Sequence, residues 1–197
     1  NTGGTDPGGV RRPALTWWIQ LAFSFAFGLF VIRVLAEACR AEFQNPLSQL
    51  SYRYTNPVVT PIRRWVPNWK RVNLAAVLVA WLLSILSRGL QQSLLGGRLP
   101  APLGLLVLGT ADLIDFTLVF YVAMIFGWTL SSLFGGDRRH PAVRLLGQLI
   151  EPLLRPWRGR LAFGGIDFSP TVIMLALLVA RILVVGPLRA LGYDLGG

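Results

Sequence analysis

The chain reads as an all-α integral membrane protein whose four transmembrane helices form two tandem repeats of helix, interfacial segment and helix. Three observations predict this. Four apolar runs are each long enough to cross a bilayer. A mean hydropathy of +0.55, with 53% hydrophobic and 14% charged residues, does not suit a soluble surface. The stretch 45–67, NPLSQLSYRYTNPVVTPIRRWVP, also returns in degenerate form as 140–161, HPAVRLLGQLIEPLLRPWRGRL. At a constant shift of 95 residues, Pro46 meets Pro141, Pro57 meets Pro152, Pro61 meets Pro156 and Arg63 meets Arg158, and such a repeat takes precedence over any residue-level reading.

Residues 1–13 are expected to form a flexible tail, 14–97 the first unit and 98–197 the second. The tail opens NTGGTDPGGV, too poor in apolar groups to offset the entropy of ordering. The missing initiator Met points to a start inside, or after processing of, a longer product. The first span runs from Ala14 to about Ala36, since roughly 20 apolar residues at 1.5 Å rise cross a ~30 Å hydrocarbon layer. Arg11 and Arg12 resemble a signal peptide's charged region, but no small-residue cleavage site follows, so the helix is expected to stay uncleaved. Trp17 and Trp18 suit the interfacial aromatic belt.

In the first repeated segment Leu47, Leu50, Tyr54 and Val58 recur at helical spacing, an amphipathic stretch fit to lie along the interface. Pro57 and Pro61 are expected to end or kink it, turning the chain back before Arg63, Arg64, Lys70 and Arg71. The second span covers 74–95. Ser84, Ser87, Arg88, Gln91 and Gln92 make its far end more polar, so its membrane part is expected to finish near Leu90. A turn at Gly96, Gly97, Pro100 and Pro102 precedes a third run, 103–134, long enough to require tilting or projection into the headgroups. In the second repeated segment Leu146, Leu149, Ile150, Leu153 and Trp157 form an apolar face beside Arg144, Glu151, Arg155 and Arg158. Ser169 is expected to cap the fourth span, 170–191, with Pro170 at its first position.

Charge sets the orientation and narrows the function. The chain carries a net +10, but its basic residues sit between apolar runs, a pattern of membrane-facing loops that gives no reason to expect nucleic acid. Residues 37–73 and 134–169 hold twelve of the nineteen Lys and Arg, against five (Arg11, Arg12, Arg88, Arg98, Arg189) on the other side. The positive-inside rule then puts both repeated segments in the cytoplasm. A single cysteine, Cys39, excludes a disulfide framework, and a single histidine, His140, excludes a conventional zinc or bis-histidine haem site from this chain alone. No phosphate loop, Ser-His-Asp set or paired metal carboxylates can be read, so neither a cofactor nor enzymatic activity is expected.

Arg33, Asp112, Asp115 and Arg181 lie inside or beside apolar runs, where an unpaired charge costs about 2.5 to 3.5 kcal/mol at a helix centre. Asp112 and Asp115 share a helix face. The third and fourth spans run in opposite directions, so Arg181 is expected to pair with Asp115 or, failing that, Asp112. The alternatives are a proton or cation route through Asp115, or aspartates at headgroup level. Arg33, Arg63, Arg64, Arg158 and Arg160 are the expected contacts to anionic lipid headgroups or a partner, each worth about 1 kcal/mol near the surface.

Several motifs together resemble the YggT family of small integral membrane proteins. They are Asn45-Pro46-Leu47, Thr55-Asn56-Pro57 and Thr60-Pro61-Ile62-Arg63-Arg64 with Pro67, then Glu151-Pro152-Leu153-Leu154-Arg155-Pro156 and Gly165-Ile166-Asp167-Phe168-Ser169-Pro170. The likeness runs from about Phe30 to Leu183, and Arg33 and Ser132 also stand at family positions. The first unit departs from the pattern with Asn73-Leu74-Ala75-Ala76 in place of D-x-S-P and Glu37-Ala38 in place of Ser-Trp, and His140 replaces an Asn. The resemblance implies bacterial inner-membrane or plastid relatives linked to osmotic or ion tolerance and to biogenesis of membrane complexes. The expected function is a non-enzymatic accessory or assembly factor docking to a larger membrane protein complex. The alternative is an ion-handling channel or transporter component.

Overall fold

A computed structural model describes residues 7–41, 44–69, 72–94, 99–135, 137, 139–163 and 166–197. Its elements are α1 (Pro7–Cys39), α2 (Pro46–Arg63), α3 (Leu74–Leu94), α4 (Pro102–Leu133), α5 (Pro141–Leu154), β1 (Ala162–Phe163), β2 (Ile166–Asp167) and α6 (Ser169–Asp194). Helices α1, α3, α4 and α6 contain the four apolar spans, Trp17–Cys39, Leu74–Leu94, Pro102–Leu133 and Ser169–Asp194. β1 and β2 make a minimal antiparallel hairpin before α6. The turn expected at Gly96 and Gly97 and the motif residue Gly165 lie outside the described residues.

Helix α1 begins at Pro7, earlier than the expected Ala14, so the later part of the expected tail is helical. Proline suits a helix's first position because its missing N–H has no intrahelical partner there. At 33 residues and 1.5 Å rise, α1 is about 50 Å long and outreaches its own apolar span.

Proline also opens the two short helices. Asn45 Oδ1 accepts from Leu47 N at 3.0 Å before Pro46, and His140 Nδ1 accepts from Ala142 N at 3.3 Å before Pro141. These caps are partners under the 95-residue shift, so His140 does the work of an Asn. Asn45 Nδ2 also donates to Pro141 O at 2.7 Å, which puts both short helices at the same end of the bundle.

Pro57 and Pro61 do not end α2, which continues through both to Arg63. The carbonyls that the prolines leave unbonded belong to Arg53 and Pro57, both exposed, so outside donors can satisfy them. The second copy differs in that α5 contains Pro152 but ends before Pro156. The apolar stripe of α2 faces outward, with Leu47, Leu50, Tyr54 and Val58 exposed and Ser48, Ser51, Thr55 and Val59 buried. Ser51 Oγ donates to Leu29 O at 2.6 Å, tying that small polar face to α1.

The main packing pairs are α1 with α3 and α4 with α6, and α3 against α4 joins the units. One core gathers Phe30, Val59 and Val79 with Ala75, Ala76 and Ala80 of α3. The other centres on Leu145, Leu149, Ile150 and Leu154 of α5, and it draws in Ala36 of α1, Met124 and Ile125 of α4 and Ile173 of α6. Small residues bring the backbones close, as membrane helices do in place of hydrophobic drive. A Cβ on Gly109 of α4 would lie 2.5 Å from Ile85 Cγ1 of α3, and one on Gly192 of α6 would lie 2.7 Å from Leu108 Cγ of α4.

The N-terminus of α6 corrects a further expectation. Ser169 is its first residue rather than its side-chain cap, and Ser169 Oγ donates to Trp157 O at 3.0 Å. The capping acceptor is Asp167, whose Oδ1 receives Ser169 N at 2.9 Å.

Candidate functional site

Towards the end of the spans opposite α2 and α5, five charged side chains meet. Asp112 and Asp115, three apart on α4, project from one face. Arg88 of α3 donates to Asp112 through Nε at 2.7 Å and through Nη2. Arg181, halfway along α6, donates to Asp115 through Nε and through Nη2, the latter at 3.2 Å. Arg189 joins the two pairs, its Nη2 lying 3.1 Å from Asp112 Oδ1 and 2.9 Å from Asp115 Oδ2. Three guanidiniums against two carboxylates leave one net positive charge in a low-dielectric setting, where each unpaired ion would be costly.

The cluster forms one wall of a cleft of about 550 Å³ between all four spans. Gln20 and Ser24 of α1 and Ser84, Ser87 and Gln91 of α3 extend its polar lining, while Phe23, Phe27, Phe116 and Val119 supply an apolar part. Along α1 the order is Gln20, Ser24, Phe27, Arg33, and along α4 it is Asp112, Asp115, Phe116, Phe120. An aromatic layer, Phe27 to Phe116 at 5.2 Å between centroids and Phe116 to Phe120 at 5.7 Å, therefore floors the cleft.

Beyond that layer sits a second polar group, built on Arg33. Arg33 is only 2% exposed, so it is held inside the chain and does not make the headgroup or partner contact expected of it. Its Nη1 donates to Thr55 Oγ1 and Asn56 Oδ1, both at 2.7 Å. Its Nε lies 3.3 Å from Glu37 Oε1, and its guanidinium stacks over Tyr52 at 4.8 Å. Asn73 completes the set, donating to Glu37 Oε1 at 3.0 Å while its own Oδ1 caps Ala76 N at 3.1 Å. Burial, with Glu37 beside it, pushes the Tyr52 phenol up to about 12. The Glu and Asn that depart from the family pattern are thus bonded to each other beside the arginine.

Of the other expected contact residues, Arg63, Arg64 and Arg160 are exposed. Arg158 is engaged within the chain, 2.8 Å from Glu151 and 5.5 Å from the Trp128 ring. Cys39 is partly buried, its thiol 3.8 Å from Leu149 O. Sequence reasoning passed over Arg88 and Arg189. The signal for Arg88 was periodicity: Ser84, Ser87, Arg88 and Gln91 fall at i, i+3, i+4 and i+7, a polar helix face and not a frayed end.

The family model described as CCB3/YggT matches residues 13–94 and again 107–188. An uncharacterized protein of Pseudomonas aeruginosa is 33% identical over 181 residues, 90% of this chain and 91% of its own length. The uncharacterized protein YggT of Escherichia coli is 32% identical over 182 residues, 90% of this chain and 93% of its own. An uncharacterized protein of Vibrio alginolyticus is 31% identical over 185 residues, 89% and 97%. No solved structure matches the chain.

Proposed function

Because the chain belongs to the CCB3/YggT family and Arg33, Glu37, Arg88, Asp112, Asp115, Arg181 and Arg189 within its spans are paired among themselves, we propose that it is a non-enzymatic accessory or assembly factor of a bacterial inner membrane. It docks by its helices to a larger membrane protein complex. The observation that carries this reading is the way the cleft is floored: Arg88, Arg181 and Arg189 are tied to Asp112 and Asp115, and the Phe27, Phe116 and Phe120 layer lies between them and the Arg33 group. Permeation needs a polar lining along the whole path, and an aromatic floor argues for a frame rather than a conduit.

Helix α6 supports docking, since Leu175, Ile182 and Leu183 are 62%, 72% and 67% exposed and offer a face to a neighbouring helix. Exposed Arg63, Arg64 and Arg160 at the α2 and α5 end suit anionic headgroups of the cytoplasmic leaflet, at about 1 kcal/mol each. The bacterial sources of the relatives fit the proposed membrane. A second reading, an ion-handling component, is favoured by the five charges in the cleft. Extraction in a gentle detergent followed by identification of co-purifying proteins tests the first reading, with a stable membrane partner as the expected result. Purified protein that passes cations across liposome membranes would overturn it.

A further inference from the structure

The carboxylates of the cleft are fully used, whereas its guanidiniums are not. Both oxygens of Asp112 and both of Asp115 accept from arginine, and Asp112 Oδ1 and Asp115 Oδ2 each accept twice. Arg189, by contrast, makes its bonds through Nη2, and its Nε is buried with no hydrogen-bond partner. An orphaned buried donor is costly, more so on a charged group. A cation entering the cleft would meet a net positive charge and carboxylate oxygens already committed. An anion would meet a net positive charge to balance and the Arg189 side chain, which is 35% exposed.

The shape narrows the class. About 550 Å³ is far more than one small anion needs, and the remaining wall of Phe23, Phe27, Phe116 and Val119 is apolar. We propose that the cleft binds a phosphate-class anion against the exposed part of the Arg189 guanidinium, with an attached alkyl chain lying against the phenylalanines. Charge-assisted, multidentate hydrogen bonding is the mode in which arginine holds phosphate. A lipid headgroup and free phosphate share this chemistry. The site is distinct from the exposed basic residues at the other end of the bundle, and it stands or falls independently of the docking reading, because it requires no protein partner.

The test uses the full chain in a non-ionic detergent, with the thermal midpoint followed against probe concentration, since a ligand of the folded state raises it by mass action. The probes are dihexanoyl phosphatidylglycerol, dihexanoyl phosphatidylcholine, inorganic phosphate and sodium chloride at matched ionic strength. A saturable rise with phosphatidylglycerol, absent with phosphatidylcholine, is the expected result and assigns the anion to a lipid. A full rise with inorganic phosphate alone assigns it to the free ion and supports the same site. Arg189→Gln should raise the half-saturating concentration roughly tenfold or more. Ser24→Trp, which fills the cleft and leaves all five charges, should do the same, so the assay does not depend on a variant that loosens the cluster. Equal half-saturation in the wild type and both variants overturns the proposal, as does a rise with sodium chloride alone or no rise with either phosphate probe.

Discussion

Arg33 shows how a residue's surroundings set its role. Placed by sequence alone at the end of an apolar run, an arginine is assigned to the headgroups, where its long stem lets it snorkel. Here Thr55, Asn56, Glu37 and Tyr52 surround it, and only the i, i+4 spacing of Arg33 and Glu37 was legible in advance. Arg33→Met removes the counter-ion of Glu37, whose side chain is 14% exposed and keeps Asn73 as a donor, and breaking one side of such a pair costs up to about 3 to 5 kcal/mol. Arg33→Met with Glu37→Gln should therefore be milder than Arg33→Met alone in thermal unfolding followed by size exclusion. Equal or additive losses would mean that the two do not interact. Asp167 gives a pH dependence with a definite sign. Hydrogen bonds from Ser169 hold its carboxyl below the ordinary 3.8, so the stability it adds is complete above about pH 4 and is lost as pH falls through the depressed value. Asp167→Ala should lower neutral-pH stability by about 1 kcal/mol, as loss of a helix cap does, and should flatten the acid limb of the stability curve. An unchanged acid limb would place the acid sensitivity elsewhere.

Among the elements, the spans were legible because length and hydropathy suffice for them, and the outward apolar stripe of α2 suits the interfacial helix expected there, while the small polar residues on which α2 packs were not. An amphipathic stretch in water turns its apolar side inward, but beside a bilayer the apolar side of α2 is free to face out, and the small Ser48, Ser51 and Thr55 pack against the bundle. The prolines do not end α2 for a related reason. Pro57 and Pro61 are four apart and lie with Arg53 on one exposed face, so the helix loses hydrogen bonds only where outside donors can replace them. Glycine spacing likewise carried no label for close approach. Gly109 has Ile85 Cγ1 at 2.5 Å and Ile85 Cα at 3.3 Å from where a Cβ would stand, whereas Gly186 has nothing within 4 Å. Gly109→Val should force α3 and α4 apart at a cost of about 1 to 3 kcal/mol or more. Gly186→Ala should be neutral or stabilise α6 by up to about 1 kcal/mol. Similar thermal midpoints for the two variants would exclude Gly109 as the contact that joins the units.

At the scale of the molecule, the two units share a plan and have diverged inside it. Under the 95-residue shift Arg33 becomes Trp128, Tyr52 becomes Gly147, Ser51 becomes Leu146 and Thr55 becomes Ile150. The Trp128 indole nitrogen lies 3.2 Å from where a Cβ on Gly147 would stand, so in the second unit a ring from the long helix takes the space that Tyr52 fills from the short helix in the first. One unit keeps a polar interior and the other an apolar one. What ties them together at the far end is the charge cluster, because Asp112 receives Arg88 from the first unit and Arg189 from the second. The meeting of Arg181 with Asp115 followed from depth and antiparallel direction, but the bridge through Arg189 did not, because a helix end read only for its charge balance hides which carboxylate it faces. That bridge changes what a deletion should do. Arg181→Leu leaves Asp115 still bonded to Arg189 at 2.9 Å, so the loss of folded protein in membranes should be moderate. Arg181→Leu with Arg189→Leu strands both Asp115 and part of Asp112, and should lose more than the sum of the single variants, since residues sharing a partner are not additive. Adding Asp115→Asn to that pair should recover part of the folded yield, read as the monodisperse fraction after extraction. Additive losses and no recovery would show that Arg181 and Arg189 do not share Asp115.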